Sequence, residues 1–402
     1  METVTCRSCG SEDMTSVLDL GYQPWCNDLL ESVNQEGKVY PLHMIHCNHC
    51  SLLQLSYTIP KEVMFKQHGY RSGMTQTLID HFYNIAKETK DQFLTDGDTV
   101  LDIGGNDGSQ MLQYKKLGIT NVFNVESATN IAKISEEAGV PTINSYFNED
   151  TAKEHFDQGS VKLINAAGVF FHLEELHSVI EGVNYLLSED GVFNIQCMYA
   201  GEMIKQKTFD MIYHEHLCYY TLKSLRGLLA QHDLEVFDAY HSPIHSGSLI
   251  VRACKKNAYA KSERLVQVEE EDSKYTLEEF LKFAEKIKYS QGKLKNFLED
   301  LVKEGKTIYA YGSPAKGNTL INFEGLDSTI ITKAVEINEL KVNKILPVSL
   351  IPIEKEDKQD YPDYYLLLSH NFKDEIIKKN KDLLDKGVKF IMPFPDIEVI
   401  SG

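Results

Sequence analysis

The stretch FDMIYHEHLCYY, Phe209 to Tyr220, sets two histidines at i and i+2 around a glutamate, with tyrosines on both sides. A zinc hydrolase motif of the H-E-x-x-H kind needs its histidines one helical turn apart. At the spacing found here a helix would splay them; a strand would put them on one face, but no third ligand is evident. A packing role for partly buried histidines and an acid/base role remain. Histidine is neutral and basic near pH 7. Glu215 can orient the ring of His216 and stabilise its protonated form, and Tyr213 can donate to a developing oxyanion.

A second chemical feature lies upstream. TVLDIGGNDGSQMLQYKKLG, Thr99 to Gly118, reads as a short apolar strand, a tight glycine turn and a helix. The turn carries Asp102, Gly104, Gly105, Asn106, Asp107 and Gly108. It lacks the G-x-x-x-x-G-K-[ST] spacing, which excludes a phosphate-cradling P-loop. The next strand, NVFNVE, ends at Glu126, 24 residues after Asp102. An acid at that place accepts hydrogen bonds from ribose hydroxyls. Asp102 and Asp107 would repel a pyrophosphate and attract a cation, which points to S-adenosylmethionine rather than NAD. A methyl donor beside a positioned base suggests methylation of carbon, because a C–H proton must then be removed. VKLINAAGVFFHL, Val161 to Leu173, reads as a further strand of the same sheet, with His172 and His177 as helix-start and surface positions.

Four of the eight cysteines form two C-x2-C pairs, Cys6/Cys9 in CRSCG and Cys47/Cys50 in CNHC. Four thiolates fill a tetrahedral shell, and their softness favours Zn²⁺ over a disulfide. With every position taken by protein the site is structural. Near the other end, AYGSPAKGNTL, Ala310 to Leu320, is again strand, turn and helix. Backbone N–H groups at the helix start with Lys316 beside them make an anion site.

These motifs fall into three blocks of the 402-residue chain. Residues 1–70 hold both cysteine pairs. Residues 71–256 alternate strand and helix patterns as a doubly wound α/β domain. Residues 257–402 begin with one or two long charged helices and continue as a second, smaller α/β unit, whose FKDEIIKKNKDLLDKG reads as a helix. The composition is that of a globular protein, 42% hydrophobic and 25% charged. A net charge of -18 argues against nucleic acid as a partner. No run of 18 apolar residues appears, so no membrane span is expected. METVTCRSCG has neither the basic nor the apolar region of a secretory signal, which suggests the cytoplasm.

Taken together the chain resembles the S-adenosylmethionine-dependent C-methyltransferases of deoxysugar pathways, which act on nucleotide-linked 4-ketosugars. The likeness runs through the cysteine pairs with LDLGYQPWCNDLL between them, HGYRSGMTQTLIDHF, LDIGGNDG, IYHEHLCYY, YGSPAKGNTL and PDYYLLLSHNFKDEII. It implies a class I methyltransferase Rossmann-like domain, with an N-terminal zinc-binding module and a second, C-terminal Rossmann-like α/β domain. It implies His216 as general base with Tyr213 and Glu215 as partners, and Tyr70 near the sugar. Gly312, Ser313, Lys316, Gly317 and Asn318 would take the diphosphate of a small nucleotide-sugar substrate, with a monomer expected. An O- or N-methyltransferase of the same architecture and a non-catalytic zinc-anchored binding protein are the alternatives. The run into Ile351-Pro352-Ile353 lacks the glycine-rich turn that the resemblance leads one to expect.

Overall fold

The computed structural model describes residues 4–65 and 71–402. Its described residues form three sheets. The first is antiparallel and starts with β1 (Met14–Pro24), β2 (Val39–Cys47) and β3 (Leu53–Leu55).

The second sheet contains β4 (Val100–Ile103), β5 (Val122–Val125), β6 (Thr142–Ile143), β7 (Val161–Ala167) and β8 (Leu187–Met198), all parallel. These strands read as apolar runs because helices cover both faces; all four residues of β4 are buried. The chain then gives a two-residue strand, β9 (Cys218–Tyr219), to the first sheet, where it pairs with β3. It returns as β10 (Leu234–Ser242) and β11 (Ser248–Lys255). The order is β10-β11-β8-β7-β4-β5-β6, with β11 antiparallel to both neighbours.

The expected one or two linker helices are three, Glu263–Asp272, Leu277–Ser290 and Lys293–Lys303. The last break falls at Gly292, whose left-handed φ of +82° ends the apolar stripe before it. The third sheet follows with β12 (Ile308–Tyr311), β13 (Ala334–Glu336), β14 (Ile353–Lys355), β15 (Tyr364–Leu367), β16 (Lys389–Met392) and β17 (Glu398–Ile400). Its order is β14-β13-β12-β15-β16-β17, parallel except at β17. The helix expected over FKDEIIKKNKDLLDKG is two, Lys373–Lys379 and Lys381–Asp385, divided at Asn380. Asn380 is buried, and its side-chain amide donates to Tyr311 Oη and to the Ile376 carbonyl.

One apolar core runs through all three sheets, from Leu53 through Ile195 and Phe283 to Ala310. In both parallel sheets the crossovers change direction beside the first strand, between β4 and β7 and between β12 and β15. Ligands collect outside the carboxyl ends of such strands. Here the two carboxyl edges open onto one cavity of about 350 Å³. Gly104, Glu126 and Gly168 line it from the second sheet, and Pro314, Lys316 and Ser369 from the third.

Candidate active site

The two cysteine knuckles have the same local structure. Cys6 N–H donates to the Ser11 carbonyl and Gly10 N–H returns to the Cys6 carbonyl, both at 2.9 Å. Cys47 and Leu52, and Ser51 and Cys47, repeat the pair at 2.9 Å. Gly10 and Ser51, each four residues after its cysteine, are both left-handed. This geometry turns all four Sγ atoms inward, within 4.8 Å of one another, with no disulfide among them. Four converging thiols fit a tetrahedral Zn²⁺.

The glycine turn follows β4 as the sequence predicts. Gly105 fits only without a side chain, since a Cβ would collide with Asn124 Oδ1 and the Asp102 carboxyl. Gly104 and Asn106 line the cavity, and Gly108, left-handed, opens the helix Ser109–Lys116. Glu126 directly follows β5 and lines the cavity too. Its carboxylate accepts from the backbone of Asn106 at 3.0 Å and of Ala128 at 2.8 Å. A carboxylate fixed in this way, in a cavity that Gly104, Tyr146 and Phe147 also line, fits the ribose and adenine of S-adenosylmethionine.

The two aspartates are placed differently from expectation: neither lines the cavity. Asp102 is buried, and burial, then the charge of Glu126, pushes its carboxyl well above the usual range. Asp107 accepts from Ser109 Oγ at 2.6 Å and from Gly73 N at 3.0 Å, while Asn106 Oδ1 accepts from Ser72 N at 3.0 Å. Asn106 and Asp107 therefore hold Ser72 and Gly73 over the glycine turn, which joins the HGYRSG and LDIGGNDG motifs physically. Tyr70 lies outside the described residues.

Tyr213, Glu215 and His216 line the same cavity. The segment is a tight turn, not the extended strand on which the histidines would share a face: His216 N donates to the Tyr213 carbonyl at 2.9 Å. The two histidines point to different surroundings. His214 is buried against the edge of Tyr40, and burial pushes its ring down to about 4. His216 Nδ1 lies 2.8 Å from the Met211 carbonyl. A carbonyl can only accept, so Nδ1 carries the hydrogen and Nε2 keeps the lone pair. The Met211 carbonyl thus sets the ring's orientation, the part expected of Glu215. Burial, then the neighbouring His172, holds His216 well below the usual imidazole range; the Met211 carbonyl and Glu215 oppose this. Tyr213 packs on the ring with centroids 3.8 Å apart.

Glu215 is gripped by the N-terminal module instead. Trp25 Nε1 donates to its Oε1 at 2.8 Å and Asn27 Nδ2 at 2.5 Å. The turn is anchored on both sides: Leu55 N donates to the Leu217 carbonyl at 3.0 Å, and Thr319 Oγ1 to the Ile212 carbonyl at 3.1 Å. His172, expected to be a helix-start or surface position, is a wall of the cavity. Its Nδ1 donates to the Glu215 carbonyl at 2.5 Å, and its ring is 5.0 Å from that of His216. The sequence signal was its place just beyond the end of β7, where ligands gather.

Of the five residues expected around the diphosphate, Lys316 alone lines the cavity. Gly312 packs on Ser369 and Gly317 on Leu368. Ser313 donates its N–H and Oγ–H to Glu336, and Asn318 accepts from Asn322. These four build the turn. Glu336 stands to β13 as Glu126 stands to β5, each accepting at 3.0 Å from the turn after the sheet's first strand. Burial pushes the Lys316 ammonium down to about 8, with Asp210 opposing. Lys341, missed in the sequence, also lines the cavity and donates to the Ser313 carbonyl at 2.8 Å.

Comparison with known proteins shows the family. Family models described as a zinc binding domain, a methyltransferase domain and a C-methyltransferase C-terminal domain match residues 6–65, 77–239 and 243–395. C-methyltransferase NovU of Streptomyces niveus is 33% identical over 408 residues, spanning 99% of this chain and 97% of that protein. Two solved structures share less. The geranyl diphosphate C-methyltransferase of Streptomyces coelicolor A3(2) is 11% identical, with a TM-score of 0.35, over 46% of this chain and 85% of that one. The 1,6-didemethyltoxoflavin-N1-methyltransferase of Burkholderia thailandensis is 16% identical, with a TM-score of 0.34, over 44% and 78%.

Proposed function

This chain belongs to the C-methyltransferase family with a zinc-binding N-terminal module, and from that premise we propose that it methylates a carbon of a nucleotide-linked keto-deoxysugar. S-Adenosylmethionine, when bound, supplies an electrophilic sulfonium methyl group. Gly104, Asn106 and Glu126 hold that donor at the carboxyl ends of β4 and β5. Zn²⁺ held by Cys6, Cys9, Cys47 and Cys50 fixes the module that carries Trp25 and Asn27.

The observation that carries the reading is the tautomer of His216. A ring with Nδ1–H committed to the Met211 carbonyl leaves Nε2 as a base in a cavity shared with the donor-binding turn. A ketone acidifies the C–H beside it. Nε2 takes that proton, the C–H electron pair becomes an enolate, and the enolate carbon is the nucleophile for the methyl group. Tyr213 donates to the oxygen on which negative charge grows. Glu215, whose carboxylate accepts from Trp25 and Asn27, offsets the positive charge that His216 acquires. Lys316 and Lys341 face the cavity from the third sheet and suit the diphosphate of the acceptor. Holding both reactants against one base replaces a rare collision with an oriented encounter.

Incubation with S-adenosylmethionine and thymidine- or uridine-diphosphate-linked 4-keto-6-deoxyhexoses tests this. The expected product carries a new methyl whose protons correlate by NMR with a ring carbon that has lost its hydrogen. A methyl found on oxygen or nitrogen would replace this reading with O- or N-methylation.

A further inference from the structure

His245 has no part in the chemistry described so far, yet it lines the same cavity. It lies in the turn between β10 and β11 and has φ +53° and ψ +40°. The left-handed region is uncommon for a residue with a side chain, and such residues gather at functional sites. The surroundings impose this conformation. Ile244 is buried with Leu78 and Phe82. Ser248 Oγ donates to the Ile244 carbonyl at 3.0 Å, and Gly247 N–H reaches the same carbonyl at 3.1 Å. A Cβ on Gly247 would collide with the side chain of Glu202. Glycine at position 245 would meet this backbone with less strain, so the turn itself has no need of an imidazole.

Among the described residues the ring of His245 makes no hydrogen bond that would explain it; its electrostatic neighbours are His81 and Lys316. His81 is already engaged with Gln196 Oε1 at 2.7 Å. On the other side His245 is near enough to His216 to influence its charge. It stands at the β10-β11 end of the second sheet, with β8, β7 and β4 between it and Glu126, just past β5. That is the acceptor's side of the cavity.

We propose that His245 is an acceptor-binding residue, donating a ring N–H to an oxygen of the keto sugar held between His216 and Lys316. This rests on the reading of the acceptor given above. Because the backbone at 245 is left-handed, His245→Gly separates the side chain from the fold. The test measures three quantities on wild type and variant: the melting temperature, the affinity for S-adenosylhomocysteine, and the affinity for thymidine- and uridine-diphosphate-linked 4-keto-6-deoxyhexoses. The variant is expected to melt at the same temperature or higher and to keep its S-adenosylhomocysteine affinity. Its affinity for the keto sugar nucleotide should fall about tenfold, the size of one lost hydrogen bond. His245→Asn, which tolerates the same backbone and keeps an N–H donor, should recover part of the loss. Unchanged keto-sugar affinity in His245→Gly overturns the inference. So does a lower melting temperature with both ligands weakened alike, which would make the residue a structural one. A wild type that binds neither nucleotide sugar removes the keto-sugar reading and this inference with it.

Discussion

The indole of Trp25 donates to the carboxylate of Glu215 at 2.8 Å, across 190 positions of sequence. The N-terminal module, whose Asn27 lines the cavity, therefore holds the carboxylate next to the proposed base. Trp25→Phe keeps the packing and removes the donor. A hydrogen bond to a charged group contributes about 1.5–3 kcal/mol, so turnover should fall about 10–100-fold with donor affinity unchanged. Turnover equal to wild type would mean that Glu215 needs no such support.

Metal removal should act on catalysis through the same route. The first sheet carries β9, which begins two residues after His216, and β3 holds it in place. Purified protein should contain close to one zinc per chain, and Cys47→Ser should contain almost none. The variant should melt at a lower temperature and lose turnover together with the metal. A zinc-free protein with full turnover would contradict this coupling.

Lys316 gives a pH signature. Its ammonium, held down to about 8 by burial, is fully charged below that pH and loses its charge as the pH rises through it. KM for the sugar nucleotide should therefore climb above about pH 8, with a bound diphosphate moving the onset upward. Lys316→Arg stays charged throughout and should flatten the climb. A wild-type KM that is level across this range would place the phosphates elsewhere.

The turn before Ile351 holds Val348 at φ +67° and Leu350 at φ +55°. The glycine that the sequence lacks is thus one that the backbone still asks for. A β-branched residue in this region is strained by roughly 1–3 kcal/mol, against about 0.5–1 kcal/mol that a glycine costs through unfolded-chain entropy. Val348→Gly, at an exposed site away from the cavity, should raise the melting temperature by about 1–3 °C with turnover unchanged. A lower melting temperature would show that the valine side chain packs more than it strains.

What could be read from sequence was set by local rules. The cysteine knuckles, the glycine turn and Glu126 at the end of β5 depend on neighbours a few residues away, and their places in the fold follow the spacing. Other features depend on partners distant in the chain. The Met211 carbonyl behind His216, the grip of Trp25 on Glu215 and the cavity-lining place of His172 need the folded contacts to be seen. Asp107 was misread because its type suits a ligand site, whereas tertiary packing gave it Gly73 and Ser109 instead. The spacing of His214 and His216 would put them on one face of a strand, but four residues do not reveal the turn that the His216 N–H to Tyr213 carbonyl bond closes. The split of the helix at Asn380 follows from one buried amide that reaches Tyr311 on another strand.

The central claim is that His216 removes a carbon-bound proton. Its most direct test is exchange of the C–H beside the ketone, followed by NMR in deuterated water with the nucleotide-linked 4-keto sugar and no methyl donor. Wild type should exchange that hydrogen. His216→Gln should exchange it about 10²–10⁴ times more slowly, the usual cost of a lost general base, while still binding both ligands. His214→Ala, altered at the ring that faces Tyr40, should remain close to wild type. Exchange that persists in His216→Gln but vanishes in Tyr213→Phe or His214→Ala would contradict the assignment and move the base to another residue.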